Sequence, residues 1–398
     1  MNTNQINKVV FLSNFFSHHQ KPFSDEMFKL FGSGYSFIET GAMGEARKEL
    51  GWKRDLSSYV VVKEEWEKNR DFYQKIIDEA DVVIIGSAPE YLVKSRKKQK
   101  KVIFRYSERP LKTKDFFLKC ILRYFKWQML NFPRKRTYML CSSAYTAFDY
   151  SRYGLFKGRS YKWAYFPDFK QYEDVDSLIA QKERASIVWV ARFIDWKHPE
   201  MAIKLARKLR DDGYEFKIHM IGIGPLFDFY KNEIQKYELS QYVELQGAMS
   251  PEEVRSCMEK AEIHIFTSDR QEGWGAVLNE SMNSACAVVA NHAIGSVPFL
   301  LKDGENGFIY EDGVYEDFYA KVKLLLDNKD LRYKFSKNAY NTISQEWNAE
   351  VAANRFVELA EQVLQGEKAP MIFKEGVCSI SEIYRDDWYK SNLDRLDK

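Results

Sequence analysis

Short apolar runs alternate with segments of helical spacing along this chain of 398 residues, and that alternation constrains the fold more than any other feature. A first series of runs lies at Lys8–Ser13, Tyr35–Glu39, Asp81–Ile85, Val102–Tyr106 and Tyr138–Cys141. A second series lies at Ser186–Val190, Phe216–Ile221, Tyr242–Leu245, Ile263–Thr267 and Ala287–Ala290. Strands that alternate with helices indicate a parallel sheet with helices on both faces. The sequence therefore predicts an α/β protein with two doubly wound, Rossmann-like domains that face each other across a cleft.

A polar stretch at Lys170–Asp176 separates the two series of strands. We therefore predict an N-terminal domain over residues 1–172 and a C-terminal domain over residues 173–345. From Leu331 to about Leu364 the spacing is helical, and the polar remainder keeps several aromatic residues. Aromatic residues near a terminus favour docking over a free tail, so residues 346–398 are expected to pack back on the N-terminal domain.

Composition excludes several classes of protein. No run approaches the roughly 20 apolar residues that span a bilayer, and the start lacks the charged-then-apolar order of a signal peptide. The five cysteines include no CxxC pair and no histidine spaced to complete a zinc site. We expect a cytoplasmic protein with reduced cysteines.

Positive charge is concentrated in one region. The formal net charge is +3, but residues 92–136 carry 16 Lys or Arg against two acids, which gives +14 there and −11 elsewhere. Aromatic residues interleave with these cations between Phe116 and Leu130, as is typical of a helix on an anionic membrane surface. Lys94–Arg136 is thus predicted to bind the inner face of the cell membrane, with a core helix and its solvated basic face as the alternative. Nucleic acid is disfavoured because no recognisable nucleic-acid-binding motif accompanies the charge.

Two glycines follow the strand that ends near Thr267. Gly273 and Gly275 lie where that strand leads into helical spacing, with Glu272 before the turn and Glu280 about two helical turns later. Backbone amides at such a turn can approach a ligand closely, and open α/β sheets bind ligands at this edge. Carboxylates at two depths suit the hydroxyls of two sugar rings.

A second loop at the same predicted edge carries Arg192 and Lys197, between the strand Ser186–Val190 and a helix that begins at Pro199. A guanidinium and an ammonium group there would neutralise a diphosphate. Either pair of charged residues alone could equally consist of solvated surface side chains. The two pairs together, at one edge of one sheet, indicate a ligand-binding site more specifically.

With these motifs, together with Gly295–Pro298 and Asp303–Phe308, the chain resembles the retaining glycosyltransferases of family 4, which have the GT-B architecture. The resemblance covers residues 8–365 and implies a nucleotide-sugar donor held mainly by the C-terminal domain. It assigns the diphosphate to Arg192 and Lys197, the ribose to Glu280 and the transferred sugar to Glu272. It further places the donor against the segment from Gly273 through Trp274, Gly275 and Ala276 to Val277, and the nucleotide near Gly222, although a plain turn also explains that glycine.

The N-terminal half departs from the commonest family pattern, because Asn14–Pro22 replaces a Gly-Gly loop. His18 or His19 would then contact the acceptor, with a helix-entry loop as an equal alternative. Glu108 lies at the same edge, but we expect it to pair with Arg105 or Arg109.

The resemblance thus implies a retaining hexosyltransferase that takes a nucleotide-sugar donor, and we expect it to need no metal and no cofactor. A lipid-linked saccharide of an envelope polysaccharide or glycolipid is the expected acceptor. The only Asp-x-Asp, at Asp174 and Asp176, lies in the predicted linker, where solvated side chains are expected rather than a metal site. The alternatives are a nucleotide-sugar epimerase of the same architecture and a non-catalytic scaffold with the GT-B fold.

Overall fold

The computed structural model describes residues 6–42, 57–112, 117–132 and 136–391. The chain divides into two compact units. The first unit comprises Met1–Asp168 and Trp347–Tyr384, and the second comprises Phe169–Glu346 and Arg385–Lys398. The predicted boundary at 172/173 lies four residues beyond the observed one. Of the segment predicted to pack back on the N-terminal domain, Trp347–Tyr384 belongs to the first unit and Arg385–Lys398 to the second.

The first unit contains a seven-stranded parallel sheet of order β3-β2-β1-β4-β5-β6-β7. Its strands are β1 (Val9–Ser13), β2 (Tyr35–Glu39), β3 (Val60–Val61), β4 (Val82–Ile85), β5 (Val102–Ser107), β6 (Thr137–Cys141) and β7 (Ser160–Lys162). The helices are α1 (Lys21–Phe31), α2 (Lys63–Lys68), α3 (Arg70–Glu79), α4 (Lys94–Lys98), α5 (Phe117–Asn131) and α6 (Thr146–Ser151). The central strands β1 and β4 are buried along their whole length, which explains why they read as continuous apolar runs.

The second unit contains a six-stranded parallel sheet of order β10-β9-β8-β11-β12-β13. Its strands are β8 (Glu183–Val190), β9 (Lys217–Ile221), β10 (Val243–Gly247), β11 (Ala261–Phe266), β12 (Ala287–Asn291) and β13 (Phe308–Tyr310). The helices are α7 (Val175–Ala180), α8 (Pro199–Asp211), α9 (Phe227–Lys236), α10 (Pro251–Lys260), α11 (Val277–Asn283), α12 (Val297–Leu300), α13 (Tyr315–Asp327) and α14 (Lys329–Gln345). The predicted class of two doubly wound α/β domains is confirmed.

The helical stretch predicted from Leu331 to Leu364 is two helices. After α14, the chain turns at Glu346–Asn348 and begins α15 (Ala349–Leu364), where the Asn348 side chain caps the new helix by accepting from the amide of Val351 at 2.9 Å. Helix α15 packs on the first unit, because the Phe356 ring lies 5.0 Å from that of Phe104 and 5.9 Å from that of Trp163.

The residues after α15 extend the first sheet and then join the second unit. The segment around Ile380 bridges Tyr161 in an antiparallel sense, and the amide of Lys162 donates to the carbonyl of Ser379 at 2.8 Å. Across the described ranges, no helix combines the length and the apolar character that a membrane span requires.

Candidate functional site

The second sheet changes the direction of its winding between β8 and β11. The chain runs from β8 outward to β9 and β10, and then returns to place β11 on the other side of β8. Ligands of open α/β sheets bind outside the carboxyl ends of the strands at such a switch point. The loop after β8 carries Arg192 and Lys197, and the loop after β11 carries Glu272, so three predicted site residues flank this point.

Hydrogen bonds tie these two loops together. The Thr267 hydroxyl accepts from the Trp189 indole at 2.8 Å and donates to the carbonyl of Lys197 at 2.7 Å. The amide of Asp269 donates to the carbonyl of Trp196 at 3.0 Å. The buried hydroxyl therefore both accepts and donates, and the bond that it donates fixes the backbone at Lys197.

The Lys197 ammonium forms an ion pair with the Glu272 carboxylate. The two side chains are only 12% and 11% exposed, and the ammonium also lies 4.4 Å from the centre of the Trp196 ring. Arg192, by contrast, is exposed, and none of the residues that the structure describes forms a hydrogen bond or ion pair with its side chain. The site thus offers one unpaired cation and one cation already neutralised by a neighbouring acid.

His198 joins the two loops electrostatically, although the sequence analysis assigned it no role. Its backbone is left-handed, with φ of 52°, and its ring lies 2.6 Å from Glu200 and 3.6 Å from Asp269. These two carboxylates, Asp269 foremost, raise the pKa of His198 from 6.5 to about 10. The imidazolium form therefore holds the loop after β8 against the loop after β11 at neutral pH.

The glycine turn after β11 is built by close packing. Gly275 has φ of 86°, and a Cβ there would lie 2.5 Å from the Phe266 ring, so the position excludes any side chain. Trp274 is completely buried, and its indole donates to the Asn279 side chain at 2.8 Å. Asn279, which the sequence analysis did not single out, thereby holds the turn onto α11.

Around this turn, Gly273 is buried, Ala276 is half-buried, and Val277 begins α11. Glu280 lies in the same helix and is half-buried. Helix α11 thus places Glu280 in the helix that follows the turn of Glu272.

The loop after β12 completes this edge of the sheet. The amide of Gly295 donates to the carbonyl of Glu272, and the amide of Ser296 donates to the carbonyl of Trp274, both at 3.2 Å. The predicted Gly295–Pro298 motif is therefore hydrogen-bonded to the backbone of the glycine turn.

Gly222 is accounted for by packing alone. A Cβ at this position would lie 2.0 Å from the carbonyl oxygen of Ala191, because the chain after β9 crosses directly against the chain after β8. The alternative of a structural turn therefore suffices for this glycine, whether or not a ligand lies nearby.

The Asp-x-Asp sequence performs a structural task. Asp174 caps α7 by accepting from the amide of Ser177 at 3.0 Å, and Asp176 pairs with Lys337 at 2.9 Å. In the described part of the chain, no group of three or more His, Cys, Asp or Glu side chains is arranged to hold a metal ion.

In the first unit, the structure gathers the predicted acceptor-side residues around a tyrosine. The rings of His18 and His19 are 3.9 Å apart, and the His19 ring stacks on Tyr165 at 5.6 Å. The Tyr165 hydroxyl donates to Glu108 at 2.6 Å. Burial lowers the pKa of His18, although Asp168 opposes this effect, so His18 is neutral at physiological pH.

The expected pairing of Glu108 with Arg105 or Arg109 is wrong. Arg105 pairs with Glu90 at 2.5 Å, and Arg109 forms a buried pair with Asp149 at 3.1 Å. Glu108 instead pairs with Lys112 at 2.5 Å, and its carboxylate also accepts the hydrogen bond from the Tyr165 hydroxyl. Tyr165 follows the short strand β7, which the sequence analysis did not recognise, so its place at this edge could not be foreseen.

The basic region 92–136 is less uniformly exposed than its sequence predicts. Arg96 is completely buried, and its guanidinium donates to the carbonyls of Ile77, Ala80 and Val102. Lys97 is also buried and pairs with Glu90 at 2.8 Å. Arg96, Lys97, Arg105 and Arg109 are thus four cations with partners inside the protein. Other cations of this region are exposed, namely Lys94, Lys98, Lys100 and Lys126.

Residues 171–342 match the family model described as "Glycosyl transferases group 1". A curated relative, an uncharacterized glycosyltransferase of Methanocaldococcus jannaschii, is 31% identical over 151 residues, which is 38% of this chain and 41% of the relative. The chain spans less than half the length of the first curated relatives that it matches.

Solved structures match over a larger part of the chain. HepE of Anabaena, crystallised in complex with UDP, has a TM-score of 0.66 at 14% identity, covering 88% of this chain and 99% of its own. WaaG, a glycosyltransferase involved in lipopolysaccharide biosynthesis, has a TM-score of 0.58 at 12% identity. The match covers 90% of this chain and 100% of the WaaG chain. At these identities the likeness establishes the fold. Residues 171–342 of this chain therefore carry the sequence pattern of the group 1 glycosyl transferases, within a fold shared with a solved glycosyltransferase.

Proposed function

We propose that this protein is a retaining glycosyltransferase that moves a hexose from a nucleotide-sugar donor to a lipid-linked saccharide acceptor. The observation that carries the proposal is the pairing of Lys197 with Glu272 at the switch point between β8 and β11, in loops of which the first also carries the exposed Arg192. The matched family model covers this whole arrangement, and the structurally similar HepE was crystallised with UDP.

The two cations suit the departure of a nucleoside diphosphate. When the bond between the anomeric carbon and the phosphate oxygen breaks, its electron pair remains on the diphosphate, and cations fixed at that point stabilise the transition state. Since none of the described residues pairs with the Arg192 guanidinium, it can make a bidentate contact, and Lys197 adds a second positive charge. The proposal assigns this neutralisation to the two side chains rather than to a metal.

Glu272 and Glu280 then bind hydroxyl groups of the donor. Before donor binding, Glu272 neutralises Lys197. An incoming diphosphate competes for the Lys197 ammonium, and the released Glu272 carboxylate accepts from the hydroxyls of the transferred sugar. Glu280, farther along α11, is assigned to the ribose.

His18, His19 and Glu108 are assigned to the acceptor, with the ring of Tyr165 as an additional contact.

The proposal extends to the membrane surface through α5. Leu122, Phe125 and Met129 share one face of α5, and Phe132 directly follows the helix; these four side chains are between 61% and 77% exposed. On the opposite side of α5, the centres of the Trp127 and Tyr150 rings lie 4.9 Å apart. The helix is therefore packed on the first unit by one side while its apolar face stays exposed.

Cations adjoin this apolar face. Lys97 in α4 donates to the carbonyl of Leu130, which places α4 against the end of α5. The exposed Lys94 and Lys98 lie in α4, and the exposed Lys126 lies in α5 itself. An apolar face beside cations is the pattern that binds anionic lipid, with each cation contributing about 1 kcal/mol. We therefore place the enzyme peripherally on the inner face of the membrane, where a lipid-linked acceptor is available.

The donor site is tested first by thermal-shift titration with UDP, GDP, ADP and their glucose conjugates in the presence of EDTA. A ligand at 100 times its dissociation constant stabilises the protein by about 2.7 kcal/mol. With the donor so identified, Arg192→Ala is expected to lower turnover by about 10²- to 10³-fold, the effect of losing one transition-state donor. Arg184→Ala is the matched control, because Arg184 is also exposed but lies at the opposite end of β8. Equal turnover in the two folded variants would refute the assignment.

Membrane binding is tested by sedimentation with phosphatidylglycerol vesicles, using phosphatidylcholine vesicles for comparison. Phe125→Ser should release the protein from the anionic vesicles, because it removes apolar area from the inserting face. Phe72→Ser is the matched control, since Phe72 is equally exposed, at 61%, but lies in α3. Retention of Phe125→Ser on the vesicles would exclude α5 as the contact.

A further inference from the structure

The segment Arg385–Ser391, here called the strap, belongs to the second unit although it follows a segment of the first. We propose that the strap positions two of the loops at the donor site, those after β11 and β12, with Asp386 as the principal positioning residue. The proposal rests on the proposed function, because the loop after β11 carries Glu272.

Asp386 contacts both loops at once. Its carboxylate lies 3.3 Å from the guanidinium of Arg270, which belongs to the loop after β11. Its backbone carbonyl lies 3.0 Å from Nε2 of His292, which begins the loop after β12. One residue of the strap therefore joins the loop that carries Glu272 to the loop that carries Gly295.

The hydrogen bonds of His292 define how it holds the strap. Its Nδ1 accepts from the amide of Asp312 at 3.0 Å, so the ring proton is on Nε2 and is donated to the Asp386 carbonyl. His292 is buried, and its ring also lies 5.9 Å from that of Tyr389. The strap is thus held by a buried and directional contact.

Further contacts dock the strap on the second unit. The Tyr389 hydroxyl accepts from the buried ammonium of Lys321 at 2.7 Å and donates to Asp303 at 3.0 Å.

The amide of Ser391 donates to Glu311 at 2.8 Å, and Lys390 pairs with the same carboxylate. Lys390 is the main cause that lowers the pKa of Glu311. These contacts fix the strap on both sides of β13, so Asp386 is presented to the two loops by an ordered backbone.

The loops that Asp386 joins are already hydrogen-bonded to each other. The amides of Gly295 and Ser296 donate to the carbonyls of Glu272 and Trp274. Removing the strap contact makes the opening of these two bonds easier, and a donor that needs the closed arrangement then binds more weakly. Asp386 therefore acts through Arg270 and the loops, without touching the donor.

The first test is hydrogen–deuterium exchange in the full chain without any nucleotide. Asp386→Ala should accelerate exchange at the amides of Gly295 and Ser296 by about 2- to 5-fold, the effect of losing one partly exposed ion pair. Asp386→Glu should restore the slow exchange, and Asp387→Ala, the same loss of charge one residue later, should leave it unchanged. Equal exchange in Asp386→Ala and the parent protein would overturn the proposal.

The second test is UDP-glucose turnover, or turnover of whichever conjugate the thermal-shift titration identifies. Asp386→Ala should raise KM for the donor by about 2- to 5-fold and leave kcat nearly unchanged, because the loops still close once the donor is bound. A loss of kcat with an unchanged KM would refute a positioning role. If exchange responds but no nucleotide binds even the parent protein, then the proposed function fails while the coupling between strap and loops stands.

Discussion

His198 makes the stability of the second unit depend on pH in a way that can be calculated from its contacts. A pKa of about 10 in the folded protein, against 6.5 for an unperturbed histidine, corresponds to an upper limit of about 5 kcal/mol. His198, Glu200 and Asp269 are each between 22% and 35% exposed, so solvent screens both pairs. Two screened ion pairs together contribute about 1–2 kcal/mol.

The sign follows from the direction of the pKa change. Since folding raises the pKa, the stabilisation is complete below pH 6.5 and is lost as pH rises towards 10. We propose His198→Asn as the perturbation, because asparagine tolerates the left-handed backbone at φ of 52° and carries no charge. At about 2–4 °C per kcal/mol for a domain of this size, a loss of about 1–2 kcal/mol should make the variant melt about 2–8 °C below the parent at pH 6. At pH 10 the two proteins should melt together.

The assay is differential scanning fluorimetry of both proteins from pH 6 to pH 10. Glu200→Gln, alone and combined with His198→Asn, closes a double-mutant cycle, and the coupling should be present at pH 6 and absent at pH 10. A melting difference that stays constant over this range would refute the reasoning, because it would show that packing or backbone strain, rather than charge, gives His198 its effect.

Two further substitutions test the framework around the site. Gly222→Ala should destabilise the second unit by more than about 3 kcal/mol in thermal unfolding, because the new Cβ would lie 2.0 Å from the Ala191 carbonyl; a variant within 1 °C of the parent would contradict this packing. Lys182→Met should cost about 2–4 kcal/mol in urea unfolding, since its buried ammonium shares its three N–H donors among four carbonyls, including those of Glu259 and Ser284, that would lose this donor; an unchanged midpoint would show that water replaces it.

The sequence predicts the central strands well, because strands that are buried on both faces are continuous runs of apolar residues. Tyr35–Glu39 is predicted to the residue, and the strand at Ala287 differs by one position. Strands β3 and β7, of two and three residues, were missed because so short a run contains no periodicity. The same limit hid the position of Tyr165, and with it the real partner of Glu108.

Charge was predicted less reliably than burial. The run Lys94–Lys101 reads as a solvated cationic surface, yet Arg96 and Lys97 point inward. Arg96 bonds to carbonyls near the end of α3, some 16 to 19 residues earlier in the chain, and no local pattern reveals such a partner. In the candidate site, the residue types were predictable from motifs, but the contacts of His198 with Asp269 and of Asp386 with Arg270 depend on loops that only the folded sheet brings together.

The order of segments along the chain bears on how this protein can be recombined with its relatives. The family match ends at residue 342, whereas the strap begins at Arg385 and is separated from that match by α15 and the β-bridge at Ile380. A chimera that exchanges only residues 171–342 would join one protein's loops to another protein's strap. Residues 270 and 292 would then have to match a foreign residue 386. Under the proposed function, exchanges that carry the strap together with the matched region should therefore retain donor binding more often than exchanges that cut between them.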